Sequence, residues 1–301
     1  MIYTVTLNPA IDYVVQLEGD LQPGGLNRSA GEDYQFGGKG VNVSNVLKTL
    51  GYDTVALGFV AGFLGDGLER GLRDMGLTTR FLHVARGMTR INVKIKAGEE
   101  TELNGSGPVI TEGDMAQLFA QLDALLPGDT LVLSGSIPKC LPADTYERIL
   151  ARLEGRGVQT VVDAAGELLF NVLPYRPFLI KPNRQELEEL FCRELHSDED
   201  IAACAEALQR QGARNVLVSL AGDGALLLDE NGGCRRMACP KGTVRNSVGA
   251  GDSMVAGFLA GWLETGDYDR ALRLGVAAGS ATAFSLGLAG RAEIMRLLET
   301  L

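Results

Sequence analysis

Short apolar runs of strand length recur along this sequence and alternate with segments of helical length. Thr130–Ser134, for example, has the sequence Thr-Leu-Val-Leu-Ser, with no charged residue inside it. A strand with one face in water alternates apolar and polar residues, so an unbroken run indicates a strand buried on both faces. Such strands are typical of parallel sheets whose two faces are covered by crossover helices. The pattern therefore predicts a doubly wound α/β fold.

The alternation also sets the approximate positions of the elements. Strands are predicted at Ile2–Leu7, Thr54–Val60, Thr130–Ser134, Gln159–Asp163, Phe178–Lys181, Asn215–Ser219 and Ala225–Asp229. Helices are predicted at Gly40–Leu50, Gly65–Met75, Glu112–Leu125, Ala143–Glu154 and Asp198–Gln211. Gly51 and Gly76 follow the first two of these helices, as left-handed helix caps require.

Two stretches depart from this rhythm, Asp12–Leu17 and Arg90–Lys96. In the second, isoleucine and valine alternate with asparagine and lysine, and a period of two indicates a strand with one apolar and one polar face. Together with Gly98–Leu103 these stretches could form a small lid over the main sheet. An antiparallel edge of the main sheet accounts for the pattern equally well.

Composition excludes several classes of function. The chain of 301 residues has 28 Lys and Arg against 38 Asp and Glu, a net charge of −10, and nucleic-acid binding needs a basic field instead. Five cysteines without a CxxC pair, and only two histidines, disfavour a disulfide framework and a zinc site. No apolar run reaches membrane-spanning length and no basic leader precedes the first strand, so a cytoplasmic protein without a membrane partner is expected.

The sharpest local motif is Asn246–Ser253, with the sequence Asn-Ser-Val-Gly-Ala-Gly-Asp-Ser, ahead of a helical run at Met254–Leu263. Its glycines permit a tight turn that aims backbone N–H groups at a ligand, and the helix adds the positive end of its dipole. Such a site suits a transferring phosphoryl group, and Asp252 at its mouth could deprotonate a hydroxyl. In the alternative, the glycines serve helix–sheet packing and Asp252 caps the helix.

Two earlier segments carry groups that suit a sugar phosphate. Phe36–Val43 contains three glycines, Lys39, which could meet a negative charge, and Asn42, which could bond a hydroxyl. A flexible loop with a solvated lysine is the alternative. Asn8–Asp12 follows the first predicted strand, and ligands of open α/β sheets bind at the carboxyl ends of strands. A surface turn is the alternative there.

Two later segments suit a nucleotide and its metal ion. In Lys181–Glu186, Asn183 and Glu186 could lie near a metal–phosphate cluster, but an Asn with a Glu three residues later is also a capping box. Val218–Gly224 combines the end of a strand with a glycine-rich turn that could line a nucleotide. A simple turn between two strands explains it equally well.

These motifs, in this order, resemble the ribokinase-like family of carbohydrate kinases over essentially the whole chain. The likeness runs from Thr6–Asp12 to Gly249–Gly257 and is strongest to the phosphofructokinase-B branch, and within it to 1-phosphofructokinases. The segments that carry the closer likeness are Gly38–Val43, Thr89–Lys94, Ser134–Pro138 and Lys181–Leu187. The resemblance implies a three-layer α/β/α sandwich with a small β-sheet lid, in one domain of residues 1–301. The lid strands would lie within residues 12–36 and 88–105.

The resemblance also implies roles for individual residues. The catalytic base would be Asp252, with an anion hole at Gly249, Ala250 and Gly251. The sugar phosphate would be contacted by Asp12, Gly38, Lys39 and Asn42, with its phosphate held by Arg28 and Arg90. The ATP side would be lined by Lys181, Asn183, Ser219, Gly222 and Gly224, with Glu186 reaching Mg²⁺ through water. Ala221 departs from the family pattern, since relatives often have glycine there.

The implied reaction is the ATP-dependent phosphorylation of fructose 1-phosphate to fructose 1,6-bisphosphate, in a homodimer paired through the lids. Tagatose-6-phosphate kinases and other hexose-phosphate kinases share most of the pattern and stay an alternative. A catalytically silent sugar-phosphate sensor is possible on the same fold, although the intact Asp252 and anion hole argue against it. Because Asp252 lies at a helix N-terminus, its carboxylate form should be favoured at neutral pH.

Overall fold

A computed structural model describes all residues, 1–301, and contains fourteen strands and ten α-helices. The strands are β1 (Ile2–Thr6), β2 (Ala10–Leu17), β3 (Ser29–Gly37), β4 (Thr54–Val60), β5 (Thr78–Thr79), β6 (Leu82–His83), β7 (Arg90–Lys96), β8 (Glu100–Asn104), β9 (Thr130–Ser134), β10 (Gln159–Asp163), β11 (Leu179–Ile180), β12 (Asn215–Ser219), β13 (Ala225–Leu228) and β14 (Cys234–Met237).

The helices alternate with the strands of the main sheet for most of the chain. They are α1 (Lys39–Leu50), α2 (Gly62–Asp74), α3 (Glu112–Asp123), α4 (Thr145–Leu153), α5 (Glu167–Val172), α6 (Arg184–Phe191), α7 (Asp198–Arg210), α8 (Ala250–Thr265), α9 (Tyr268–Ala283) and α10 (Arg291–Leu298). None of them has both the length and the apolar composition that crossing a membrane would need.

The main sheet has the strand order β14-β13-β12-β11-β10-β9-β1-β4-β5, with β6 paired to β4. Its pairs are parallel except at one end, where β12, β13 and β14 run antiparallel. The chain leaves β1 toward β4 on one side and later adds β9 on the other. A change of direction of this kind opens a crevice at the carboxyl ends of the central strands.

The unbroken apolar runs are explained by two hydrophobic cores, one on each face of the sheet. In β9, Leu131 and Leu133 join the core beneath α3 to α7, whereas Val132 joins the core beneath α1, α8, α9 and α10. Each such strand therefore needs apolar side chains at successive positions. The predicted doubly wound α/β sandwich is confirmed.

The lid prediction is also confirmed, because β3, β2, β7 and β8 form a separate four-stranded sheet in that order. The alternative, an antiparallel edge of the main sheet, is wrong. Register places Arg90 and Asn92 of β7 on one face of this sheet, and places Ile91 and Val93 on the other, where they pair with Ile11 and Tyr13 of β2. The polar face is turned toward the crevice.

Helices α8 and α9 pack against each other so closely that glycine is required at the contact. A Cβ atom added to Gly257 would lie 2.4 Å from the carbonyl oxygen of Leu274 and 2.9 Å from the Cβ atom of Ala278. Backbone cannot yield to such a clash without a shift of one helix. This contact fixes the position of α8. Its first turn contains Ala250–Ser253, the second half of the Asn246–Ser253 motif.

We predict that Gly257→Ala lowers the free energy of unfolding by roughly 1–3 kcal/mol, the usual cost of overpacking. Gly67→Ala in α2 is the matched control, because a Cβ atom there meets nothing within 4 Å. That substitution should instead raise stability by about 0.5–1 kcal/mol. Urea unfolding of both variants measures the difference, and equal stabilities would contradict the packing described here.

Candidate active site

A large crevice lies between the carboxyl ends of the main-sheet strands and the polar face of the lid. It has a volume of about 1170 Å³, which exceeds the range of roughly 300–1,000 Å³ that is usual for one drug-sized ligand. The predicted site residues that line it are Asp12, Gly38, Lys39, Asn42, Arg90, Lys181, Asn183, Glu186, Ser219, Gly222, Gly224, Gly249, Ala250, Gly251 and Asp252. The space suits two ligands side by side.

Arg28 is the one predicted site residue that does not line this crevice. It lies exposed in the segment between β2 and β3, at the outer end of the lid. Within a single chain, the structure therefore does not bring Arg28 together with the other predicted site residues.

The first turn of α8 presents free backbone amides to the crevice. Gly249, with φ +79°, is the residue before the helix, and the first helical hydrogen bond runs from the Ser253 N–H to the Gly249 carbonyl at 2.8 Å. The N–H groups of Gly251 and Asp252 precede that bond and donate to no protein acceptor. Two free amides at the positive end of a sixteen-residue helix form an anion-binding site.

Asp252 does not cap α8, which has no side-chain cap. Its carboxylate is buried and accepts a hydrogen bond of 2.8 Å from the Asn42 side-chain amide on α1. The bond joins residues 210 positions apart and orients one carboxylate oxygen. The capping alternative for Asp252 is therefore wrong.

Glycines in the Phe36–Val43 segment let α1 approach the sheet closely. A Cβ atom on Gly40 would lie 2.6 Å from Oγ1 of Thr6 and 2.8 Å from the carbonyl oxygen of Val5. The segment runs from the end of β3 through Gly38 into the first turn of α1, so the flexible-loop alternative is wrong. Close packing on β1 sets the position of Lys39 and Asn42 at the crevice.

A buried acidic residue that the sequence motifs did not single out links the two lysines of the site. Asp163, at the carboxyl end of β10, lies 3.5 Å from Lys39 Nζ and 3.4 Å from Lys181 Nζ through its two oxygens. It is 1% exposed. The sequence contained a signal for this residue, since Asp163 ends a predicted buried strand. Ligands of such sheets bind at the carboxyl ends of the strands.

This cluster changes the acidity of its members. Burial raises the pKa of Asp252 to about 6, with a further contribution from the Asp163 carboxylate. The Asn42 hydrogen bond, Lys39 and Lys181 oppose the rise. Burial would lower the pKa of Lys39, but the carboxylates of Asp163, Asp252 and Glu186 outweigh it and raise that pKa. The expectation that the Asp252 carboxylate is favoured at neutral pH agrees with a pKa of about 6, although burial raises this pKa above the usual value for an aspartate.

At the lid end, two buried asparagines position the predicted sugar-phosphate residues. Arg90 donates from Nε to the Asn8 carbonyl at 3.0 Å, and Asn92 donates to Asp12 at 2.8 Å. Burial lowers the pKa of Arg90, against the effect of Asp12. Neither asparagine was predicted, although Asn92 shares the polar side of the alternating strand with Arg90.

At the opposite end, Asn183 and Glu186 form the capping box of α6. The Asn183 side chain accepts from the Glu186 N–H at 2.7 Å, and Glu186 accepts from the Asn183 N–H at 2.8 Å. Both residues also line the crevice, so the capping role does not remove them from the candidate site. Ala221 adopts φ +49° in the adjacent turn, a left-handed conformation that glycine adopts more readily.

The donor groups fit a magnesium ion that arrives with a nucleotide. No group of three or more acidic, histidine or cysteine residues is arranged to hold a metal. Mg²⁺ prefers several waters and phosphate oxygens with one or two carboxylates. The Asn183 N–H occupies one oxygen of Glu186, and the other is available to a metal-bound water.

Comparisons with known proteins identify the family of this chain. Residues 5–294 match the pfkB family carbohydrate kinase model. A Bacillus subtilis protein named 1-phosphofructokinase is 48% identical, over 99% of this chain and 97% of its own length. A Bacillus licheniformis D-tagatose-1-phosphate kinase is 41% identical, over 96% and 94%. The solved structure of Escherichia coli phosphofructokinase-2 in complex with substrates and products has a TM-score of 0.93 at 29% identity, covering 100% and 99% of the two chains.

We predict that the rate of phosphoryl transfer falls as the pH falls through about 6, because Asp252 accepts a proton only when ionised and its pKa is raised to about 6. An unperturbed aspartate would place that loss near about pH 4. The measurement is kcat/KM for the sugar phosphate against pH, because this ratio reports the pKa values of the free enzyme. Asp163→Asn removes the neighbouring negative charge and should move the acidic limb to lower pH, whereas an unmoved limb would contradict the assigned cause.

Proposed function

The chain belongs to the pfkB family of carbohydrate kinases, and we propose that it transfers the γ-phosphoryl group of ATP to fructose 1-phosphate, giving ADP and fructose 1,6-bisphosphate. The observation that carries the proposal is the buried Asp252 carboxylate beside the free amides of Gly251 and Asp252. A proton acceptor and an anion hole lie together at the centre of a crevice large enough for two ligands. The name of the 48% identical relative supports the choice of sugar phosphate.

The sugar phosphate would bind at the lid end. Arg90 supplies a guanidinium whose Nη groups are left free when Nε donates to Asn8, and such groups bind phosphate oxygens in pairs. Asp12 and Asn42 offer a carboxylate and an amide to the sugar hydroxyls. The attacking hydroxyl is then directed at Asp252.

The transfer depends on position and charge more than on covalent chemistry. Asp252 accepts the proton of the attacking hydroxyl while the new P–O bond forms, and Asn42 holds the carboxylate in place. The free amides of α8 donate to the oxygens of the transferring group, where negative charge is spread in the transition state. Lys39 and Lys181 add positive charge on the same side.

Bound Mg²⁺ would supply further neutralisation of the phosphate charge. Glu186 would hold one of its waters, and Asn183 would orient Glu186 through the capping box. Ser219, Gly222 and Gly224 would line the rest of the ATP. Gly224 has φ +98°, and a Cβ atom there would lie 2.1 Å from the Met237 carbonyl oxygen, so only glycine fits this turn.

D-Tagatose 1-phosphate is a second candidate substrate, favoured by the name of the 41% identical relative. Tagatose and fructose differ in the configuration of one hydroxyl-bearing carbon, and both substrates carry the phosphate at the same position. The crevice residues that face the sugar hydroxyls, Asp12 and Asn42, would decide between them. Tagatose 6-phosphate, with its phosphate at the other end, is the more distant alternative.

We predict Mg·ATP-dependent turnover with fructose 1-phosphate as the preferred substrate. ADP release is measured across a panel of fructose 1-phosphate, tagatose 1-phosphate, tagatose 6-phosphate and fructose 6-phosphate. Fructose 1-phosphate should give the largest kcat/KM. A larger value for any other member would overturn the substrate assignment, and turnover of none of them would overturn the proposed activity.

We also propose that residues 1–301 act as one kinase domain that pairs with a second copy through the lid, in the cytoplasm. The outer lid face carries Tyr34, Ile91 and Leu103, which are 59%, 38% and 59% exposed. An exposed sheet with an apolar face is unfavourable in water unless it is covered. Two lids facing each other would cover both apolar faces. The five free cysteines suit a reducing compartment.

We predict that light scattering finds a dimer and that Leu103→Asp, which places a charge on the outer lid face, converts it to a monomer. Leu126→Asp is the control, because Leu126 is 67% exposed in the loop between α3 and β9, away from the lid. It should leave the dimer intact. A wild-type monomer at all working concentrations would refute pairing through the lid.

A further inference from the structure

Arg184 occupies the first position of α6, where a cation is disfavoured because the N-terminus of a helix is its positive end. Its side chain lines the nucleotide end of the crevice. Its Nε atom is buried and donates to no protein acceptor. Both the position at the helix N-terminus and the unpaired buried Nε are unfavourable for the stability of the fold. Stabilisation of the fold therefore does not explain Arg184.

The contact that Arg184 does make is weak. Its Nη2 atom lies 3.4 Å from Oδ2 of Asp223, in the turn after β12, and the two side chains are 40% and 63% exposed. Ion pairs this exposed contribute little to stability, because water and salt screen them. The backbone bridge between Asn183 and Ser219 already brings the two segments together. The Arg184–Asp223 ion pair is therefore not needed to hold them in place.

The geometry points to Arg184 as a residue that determines specificity for a phosphorylated nucleotide by binding its phosphate tail. When the phosphate binds, Arg184 releases Asp223. This inference rests on the proposed function, since it requires a polyphosphate at this end of the crevice. Nε and Nη2 form the edge of a guanidinium that binds two oxygens at once. Nε is free and Nη2 is only loosely held. A phosphate group can therefore replace Asp223 at this edge of the Arg184 guanidinium.

The other cations of the crevice are less suited to this task. Lys39 and Lys181 both contact the buried Asp163, and Arg90 lies at the lid end beside Asn8. Lys241 lines the crevice, but it presents a single ammonium group on a loop that Gly242 packs against Phe284. Of the cations in the crevice, only Arg184 lies next to Asn183 and has a guanidinium edge available to bind two oxygens.

Steady-state kinetics separate this role from a structural one. Arg184→Ala should raise KM for Mg·ATP about tenfold, the loss expected for one charge-assisted contact, with KM for the sugar phosphate unchanged. Arg184→Lys should recover only part of the loss, because an ammonium lacks the planar fork. Asp223→Asn should lower KM for Mg·ATP, since it removes both the competing partner and a repelling charge.

The matched control is Arg210→Ala in α7, which breaks a 3.5 Å ion pair with Glu206 outside the crevice. It should leave KM for Mg·ATP unchanged. An unchanged KM for Mg·ATP in Arg184→Ala, beside normal wild-type turnover, would overturn the inference. So would an equal rise in both Michaelis constants.

Calorimetry with ADP and adenosine tests the same residue without turnover. Arg184→Ala should weaken ADP binding about tenfold and leave adenosine binding unchanged, because adenosine carries no phosphate. Equal losses for both ligands would overturn the inference. If wild type turned over no sugar phosphate, the proposed function would fail, while the ADP and adenosine measurements would still decide the role of Arg184.

Discussion

The site depends on a cluster of two carboxylates and two lysines, in which Asp163, Asp252 and Lys181 are buried and Lys39 is partly exposed. Asp163 lies within 3.5 Å of both lysine ammonium groups, while Asp252 is held by Asn42 a short distance away. Taking such charges out of water is costly, and the cost is tolerable only because the charges balance. Removing the charge of Asp163 would leave Lys181 buried and uncompensated. The raised pKa of Asp252 records that cost, and it also makes the group a better proton acceptor at neutral pH.

The fold holds this cluster by bringing together segments that are far apart in sequence. Asp163 comes from the end of β10, Lys39 and Asn42 from the start of α1, and Asp252 from the start of α8. Glycines permit the close approach of α1 to β1 and of α8 to α9. The apolar strands and these glycine contacts therefore act together. They fix the N-termini of α1 and α8 at the carboxyl edge of the sheet.

Much of this could be predicted from the sequence, because the signals are local. Apolar runs marked the buried strands, alternation in Arg90–Lys96 marked a strand with one apolar face, and Asn246–Ser253 marked a candidate anion site. The family resemblance favoured the lid. Contacts across the fold could not be predicted. Asp163 has apolar neighbours in sequence, and its partners are more than a hundred residues away or in another element. The rise in the pKa of Asp252 could not be predicted for the same reason, since burial and the position of Asp163 depend on the tertiary fold.

The central claim is that Asp252 is kept buried and ionisable for catalysis, at a cost to stability. Asp252→Asn tests it directly, by steady-state kinetics beside a thermal melt at neutral pH. A carboxyl whose pKa is raised on folding destabilises the folded state once the pH exceeds that pKa. The variant should therefore melt no lower than wild type, while kcat falls roughly 10²–10⁴-fold with little change in either KM. A folded variant that keeps more than about a tenth of the wild-type kcat would contradict the account.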